Sequence, residues 1–136
     1  MADKRLVALV VLVAALSLGH TVDHVCRGDL PWPLSMASVP FLAFNVVIFA
    51  VMGAGLYLYL KNKVGSLFWA FVAGTGVAVL WLGHLSPFTE QPPQYIFRAY
   101  ASPTAGWLAL ACLAALAVTL IVGGLFAHYL WARGSR

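Results

Sequence analysis

Four long apolar stretches constrain this chain more than any other feature of its sequence. They cover about residues 6–26, 39–60, 64–86 and 103–129. As helices rising about 1.5 Å per residue, each is long enough to cross the roughly 30 Å hydrocarbon core of a bilayer with some tilt. We therefore predict an all-α integral membrane protein that forms a four-helix bundle, with the lipid bilayer as its surroundings.

Composition supports this class and excludes others. Hydrophobic residues make up 62% of the chain and charged residues only 9%, against roughly 45–50% and 25% in soluble domains. One bundle accounts for all 136 residues, so we expect a single domain over 1–136. The net charge of +4 comes from basic residues at helix ends and not from a patch, so nucleic acid is not an expected partner.

The basic residues predict the orientation of the bundle. Positively charged side chains favour the cytoplasmic side of a membrane. Only Arg27 and Arg98 fall on one side of the predicted spans, so both termini are expected in the cytoplasm of a multi-pass protein of the cell membrane. The other six basic residues are Lys4, Arg5, Lys61, Lys63, Arg133 and Arg136. Prolines are expected to keep the two outer loops, 27–38 and 87–102, out of helix; they are Pro31, Pro33, Pro87, Pro92 and Pro93.

The end of the first span carries ionisable residues at membrane depth. Its purely apolar part, 6–19, is shorter than the roughly 20 residues that a crossing needs, so the helix must include His20, Asp23 and His24. Together with Arg27 these residues are spaced i, i+3, i+4 and i+7, which places them on one helix face. Ionisable groups in a span normally face a protein interior, so this stripe is the candidate site.

A short motif occurs twice, at the ends of the first and third stretches. Leu-x-Leu-Gly-His ends at His20 and again at His84, and loops of equal length follow. We predict two tandem helical hairpins related by a pseudo-two-fold axis along the membrane normal. This internal repeat would place His20 and His84 at the same depth and facing each other. The motif does not extend to Asp23 or His24.

The first functional interpretation is an outward-facing transition-metal site. Imidazoles and carboxylates suit zinc, copper or iron, and two histidines at i and i+4 can bind one ion from a single helix. His20, His24 and His84 are the expected ligands, with Asp23 as a further ligand or as an orienting carboxylate. Such a set leaves an open coordination position, which fits redox chemistry or metal handling.

A second interpretation is haem b, held between His20 and His84 as axial ligands. Arg27 and Arg98 would then pair with the haem propionates. This interpretation accounts for the repeated histidine, but it gives no role to His24 or Asp23.

The third interpretation assigns no chemistry. Polar side chains in membrane bundles often only hydrogen-bond across helices, at roughly 0.6 kcal/mol per pair. The chain would then be an accessory subunit or scaffold, with other membrane subunits or a second copy as partners. The sequence lacks HExxH, a CxxC pair and a glycine-rich phosphate loop, which argues against zincin, disulfide and nucleotide chemistry. The residue pattern is compatible both with an enzyme and with a protein that only binds its ligand.

Overall fold

The structure, a computed structural model, describes residues 2–30 and 32–134 and confirms the all-α prediction. The protein is 80% helical, and the described residues form no strand. Pro31 and Arg136, which the sequence analysis placed in a loop and on the cytoplasmic side, lie outside the described residues. The helices are α1 (Lys4–Cys26), α2 (Val39–Leu60) after a 3₁₀ turn (Met36–Ser38), α3 (Ser66–Leu80) with a π-helical turn (Trp81–Leu85), α4 (Pro93–Arg98) and α5 (Pro103–Gly134).

Four of these segments are long and apolar enough to cross a membrane: Lys4–Cys26, Met36–Leu60, Ser66–Leu85 and Pro103–Gly134. Most of their surface faces outward. Even in the most enclosed span, that of α5, only 33% of the apolar window is buried, and in that of α2 only 11%. Apolar side chains that face outward along whole helices suit lipid as the surrounding solvent. The chain is therefore a multi-pass membrane protein.

Local sequence explains where two helices begin. The Asp3 side chain accepts hydrogen bonds from the backbone N–H groups of Arg5 and Leu6, so α1 starts at Lys4, before the apolar run. The loop after α3 contains the short helix α4, so the expectation that residues 87–102 are free of helix is wrong. Pro93 opens α4 at the first helical position, where the missing N–H group of proline leaves no hydrogen bond unmade.

Helix α5 is the centre of the bundle. It packs along both α1 and α3, and α4 rests against its first turns. Small residues allow this close approach: a Cβ atom on Gly106 would lie 2.9 Å from the carbonyl oxygen of Phe97, and one on Gly124 would lie 3.1 Å from the Cβ of Ala73.

Helix α2 is held mainly at its two ends. At the end of the bundle that carries His20 and His84, called here the histidine end, the Thr21 hydroxyl donates to Asn45 Oδ1 at 2.6 Å. Towards the opposite end, which carries Asp3 and is called the termini end, Gly55 packs directly against the Phe68 ring. Between these points a cavity of about 650 Å³ separates α2 from α3.

The two predicted hairpins therefore pack unequally. Helices α3 and α5 of the second hairpin pack closely, whereas α1 and α2 of the first touch far less. This unequal packing gives the pseudo-two-fold relation no support, so the internal repeat stays a prediction from the sequence.

Candidate metal centre

The end of α1 presents the predicted stripe and then folds back over it. Gly28 has φ of +88°, a left-handed conformation that glycine adopts without strain. In the resulting turn the Asp29 N–H donates to the His24 carbonyl at 3.0 Å, the pattern of a helix that ends at a glycine. This turn brings the Asp29 carboxylate back beside the His24 ring.

A π-helical turn at the end of α3 positions the third histidine. The Ser86 N–H donates to the Trp81 carbonyl at 2.7 Å, one residue further along than in an α-helix. The Ser86 hydroxyl donates to the Leu82 carbonyl at 3.0 Å, which also helps to end the helix here. Such wide turns occur frequently at functional sites. His84 lies within this one, buried and facing α1.

The three imidazoles meet through their Nε2 atoms. His20 Nε2 lies 3.1 Å from His84 Nε2 and 3.2 Å from His24 Nε2. One ring nitrogen from each histidine lies within 4.8 Å of the other two, which is compatible with a shared metal ion. The structure thus brings together the histidines that the stripe and the repeated motif single out.

The opposite nitrogens of the rings point outward to oxygen atoms. His84 Nδ1 donates to the Gln91 carbonyl at 3.0 Å, and His24 Nδ1 lies 2.8 Å from Asp29 Oδ2. His20 Nδ1 lies 3.8 Å from Asp23 Oδ2, which is too long for a hydrogen bond, and it is buried with no other hydrogen-bond partner among the described residues.

Two contacts compete for His24 Nδ1. Besides Asp29, the Arg27 Nη2 atom lies 3.1 Å away, and a guanidinium can only donate a hydrogen bond. The carboxylate contact is the shorter, and Arg27 Nη2 has the Asp23 carboxylate at 3.1 Å as another acceptor. We therefore assign an N–H group to His24 Nδ1, donating to Asp29.

The number of ring protons limits how the three Nε2 atoms can hydrogen-bond to one another. A neutral imidazole carries one N–H group, so the Nε2 atoms of His24 and His84 are both bare acceptors. If His20 Nε2 carried the proton, it could donate to these acceptors. The buried Nδ1 of His20 would then carry no proton and would face the Asp23 carboxylate with its lone pair. A metal ion at this point would accept all three Nε2 lone pairs and would leave His20 Nδ1 as an N–H group directed towards Asp23.

Arg27 ties the surrounding acidic groups together. Its side chain is fully buried, and its Nε donates to Asp23 Oδ2 at 3.1 Å. Its Nη1 lies 3.1 Å from Asp29 Oδ2 and 3.3 Å from Gln91 Oε1. Two carboxylates and one guanidinium give a formal charge of −1 beside three neutral imidazoles, which favours a cation at their centre.

Tyr100, between α4 and α5, fixes the remaining oxygen of Asp23. Its hydroxyl donates to Asp23 Oδ1 at 2.6 Å, so both carboxylate oxygens are held. Burial raises the pKa of the Tyr100 phenol above its ordinary value, and the hydrogen bond to Asp23 raises the pKa further. This phenol therefore stays a donor at neutral pH.

The sequence analysis singled out six residues for this end of the protein, and the structure distributes them unequally. Asp23 faces the His20 ring from the side away from the other imidazoles. Arg27 pairs with carboxylates inside the protein, whereas Arg98 is exposed where α4 ends. The remaining three, His20, His24 and His84, form the cluster itself.

Sequence reasoning missed three groups. The first is Asp29, the hydrogen-bond partner of His24. A glycine near the end of the helix, Gly28, was a usable signal that the chain folds back there. Tyr100 donates to Asp23 from the loop between α4 and α5, and an aromatic residue in a loop gives no sequence signal for that contact. Gln91 acts on His84 through its backbone carbonyl, for which no residue type in the sequence gives a signal.

Comparison of the chain with protein-family models, with curated proteins and with solved structures found no match.

Proposed function

We propose that this membrane protein binds one transition-metal ion, zinc, copper or iron, through the Nε2 atoms of His20, His24 and His84. The convergence of the three nitrogens carries the proposal. Tetrahedral zinc at about 2.0–2.1 Å from each nitrogen places its ligand nitrogens roughly 3.3–3.4 Å apart. The two distances from His20 Nε2, 3.1 Å to His84 and 3.2 Å to His24, differ from that arrangement by only a few tenths of an ångström, and the third pair of ligand nitrogens lies within 4.8 Å.

The groups behind the rings support the same assignment. Histidines that bind metals usually donate their second N–H group to a carboxylate or a backbone carbonyl, which fixes the tautomer and the ring. Asp29 serves His24 in this way and Gln91 serves His84. Asp23 Oδ2 lies 3.8 Å from His20 Nδ1, so Asp23 is the carboxylate that the N–H group of this ring would face with an ion bound, and it contributes to the negative charge that favours a cation.

Three histidine ligands leave a coordination position open. At zinc such a position binds water or substrate, and at copper or iron it permits redox chemistry, so the centre suits catalysis or metal handling. The basic residues favour placing the histidine end outside the cytoplasm. We therefore propose an outward-facing centre in the cell membrane.

Haem fits the centre less well than a single ion. Axial histidines bind haem iron from opposite faces, which places their nitrogens about 4 Å apart, twice a metal–nitrogen bond. The Nε2 atoms of His20 and His84 are closer, at 3.1 Å, and His24 Nε2 lies only 3.2 Å from His20 Nε2, where the macrocycle would have to pass.

Metal content tests the proposal directly. The full chain, purified in detergent and exposed to zinc, copper(I) or iron(II), is expected to retain about one ion per chain of at least one of them, measured by elemental analysis. His84→Ala removes the ligand at the end of α3 and should lower retention at least tenfold. His128→Ala is the matched control, because His128 is exposed near the far end of α5, with its ring beside Trp131.

Optical spectra separate the alternatives. A stoichiometric ion without a Soret band supports the ion centre, whereas a Soret band lost in His84→Ala would establish haem and overturn it. Failure to retain any of the three metals, or equal retention by wild type and His84→Ala, would also overturn the proposal.

A further inference from the structure

The three imidazoles form one end of the large cavity between α2 and α3. Its volume, about 650 Å³, falls within the roughly 300–1,000 Å³ of small-molecule sites. Thr21 and Asn45 also line the polar end, and their side chains already bond each other. Most of the remaining wall is apolar, so the cavity joins a polar metal-binding end to a long apolar body.

The cavity opens sideways between two helices. Val47 of α2 and Phe71 of α3 both line it, yet they are 58% and 70% exposed. Below the opening, Gly55 packs against Phe68 and closes the gap between α2 and α3. Because both helices are membrane spans, a ligand that enters between them comes from the hydrocarbon region of the bilayer.

Charge determines what such a ligand needs at its polar end. A divalent ion, the Asp23 and Asp29 carboxylates and the Arg27 guanidinium together carry a formal charge of +1. A net charge enclosed at membrane depth is costly, so a single anionic oxygen at the open coordination position is favoured. No Lys or Arg side chain lines the cavity within the described residues, so the metal would provide the positive charge.

We propose that this cavity binds a membrane-dissolved amphiphile with one anionic oxygen headgroup, which occupies the open position beside His20, His24 and His84 while its apolar tail lies between α2 and α3. The proposal concerns binding and rests on the metal site proposed above. The headgroup is a carboxylate, as in a fatty acid, or an ionised phenol, as in a hydroquinone.

Cobalt substitution provides the readout. The full chain in phosphatidylcholine nanodiscs is loaded with Co²⁺, whose visible absorption depends on the ligand in the fourth position. Laurate and, under anaerobic conditions, decylhydroquinone are titrated separately. Each probe that shifts the spectrum supports the proposal and identifies its own headgroup, whereas no shift with either probe overturns it. Acetate should shift the spectrum only at a concentration at least about tenfold higher, because it has no tail to bury.

Two variants test the tail site. Val47→Trp and Val79→Trp each place a larger side chain on a cavity wall, and they should weaken the effective probe about tenfold or more without loss of Co²⁺. Val118→Trp is the matched control, because Val118 is 58% exposed, like Val47, but lies on α5 and does not line the cavity. Equal probe affinity in wild type and both cavity variants, or an acetate affinity equal to that of laurate, would overturn the proposal.

The cobalt content distinguishes the two proposals. Retained stoichiometric Co²⁺ with no response to either probe overturns the amphiphile site and leaves the metal centre standing. If the chain retains no Co²⁺, the centre does not bind cobalt and the amphiphile proposal is overturned. The zinc, copper and iron measurements then decide the metal proposal separately.

Discussion

The two ends of the bundle are built on different principles. At the termini end the buried cluster is almost wholly apolar: Leu6, Val10, Tyr59, Trp69 and Ala127. Among the described residues of that end, the Asp3 N–H donates to the hydroxyl of the buried Tyr59 at 3.1 Å. At the histidine end the interior holds three imidazoles, two carboxylates and a guanidinium.

That difference indicates what each end is for. Helices in lipid associate through close packing, which the aromatic and small residues of the termini end provide. Buried ion pairs lose solvation that their mutual attraction only partly restores, so they are a weak source of stability. A cluster such as that around Arg27 is more readily explained by a ligand that it holds than by the fold that it supports.

The largest expected effect comes from removing the buried Arg27 guanidinium at the histidine end. Arg27→Met leaves the Asp23 and Asp29 carboxylates without their shared partner, and the Arg27 side chain is fully buried. Breaking a buried pair in this way costs about 3–5 kcal/mol. We expect a correspondingly large loss of stability, measured as the free energy of unfolding in mixed detergent micelles.

Tyr59→Phe is the control from the termini end. It removes only the hydroxyl that accepts from Asp3, so its cost should be about 1 kcal/mol or less. If the two variants lost equal stability, the contrast between a charged end and a packed end would be broken.

The second effect sharpens the contrast through metal affinity. Asp29→Ala removes the acceptor of the His24 ring, which should lower metal affinity about 10–100-fold, as is typical when such an acceptor is lost. The measurement is competition with a chelator of known affinity. Glu90→Ala removes an exposed acidic residue of the same charge, so its affinity should match wild type. Equal losses in both variants would show that only the total charge matters.

Hydropathy was sufficient to predict the fold class, because a bilayer selects spans by their length and apolar content. The three histidines could also be predicted from the sequence, since the spacing of His20 and His24 and the repeated motif at His84 place them at one depth. The hydrogen-bond acceptors of the outer ring nitrogens could not be predicted in this way. Asp29 returns to the His24 ring through a turn at Gly28, and Gln91 contributes a backbone carbonyl. The cavity depends on the gap between α2 and α3, which the apolar pattern of the sequence alone does not determine.

The smallest expected effect concerns Tyr100, and its influence on the pH dependence of stability appears only in alkali. Because the folded state raises the pKa of this phenol, the unfolded chain loses its proton first as the pH rises above about 10. The folded state then binds more protons than the unfolded state, so this group makes stability fall with rising pH above that point and leaves it unchanged below. Tyr100→Phe should flatten the pH dependence of melting temperature in that range.

Tyr57→Phe provides the matched comparison, because Tyr57 is 62% exposed on α2 and lies at the termini end, away from Asp23. At neutral pH, Tyr100→Phe should lower metal affinity only a few-fold, since a cross-helix hydrogen bond contributes roughly 0.6 kcal/mol on average. An alkaline slope that is identical in wild type and Tyr100→Phe would mean that Asp23 is not held by this phenol. The histidine end would then resemble the termini end more than its geometry indicates, with fewer of its buried polar groups held in place by one another.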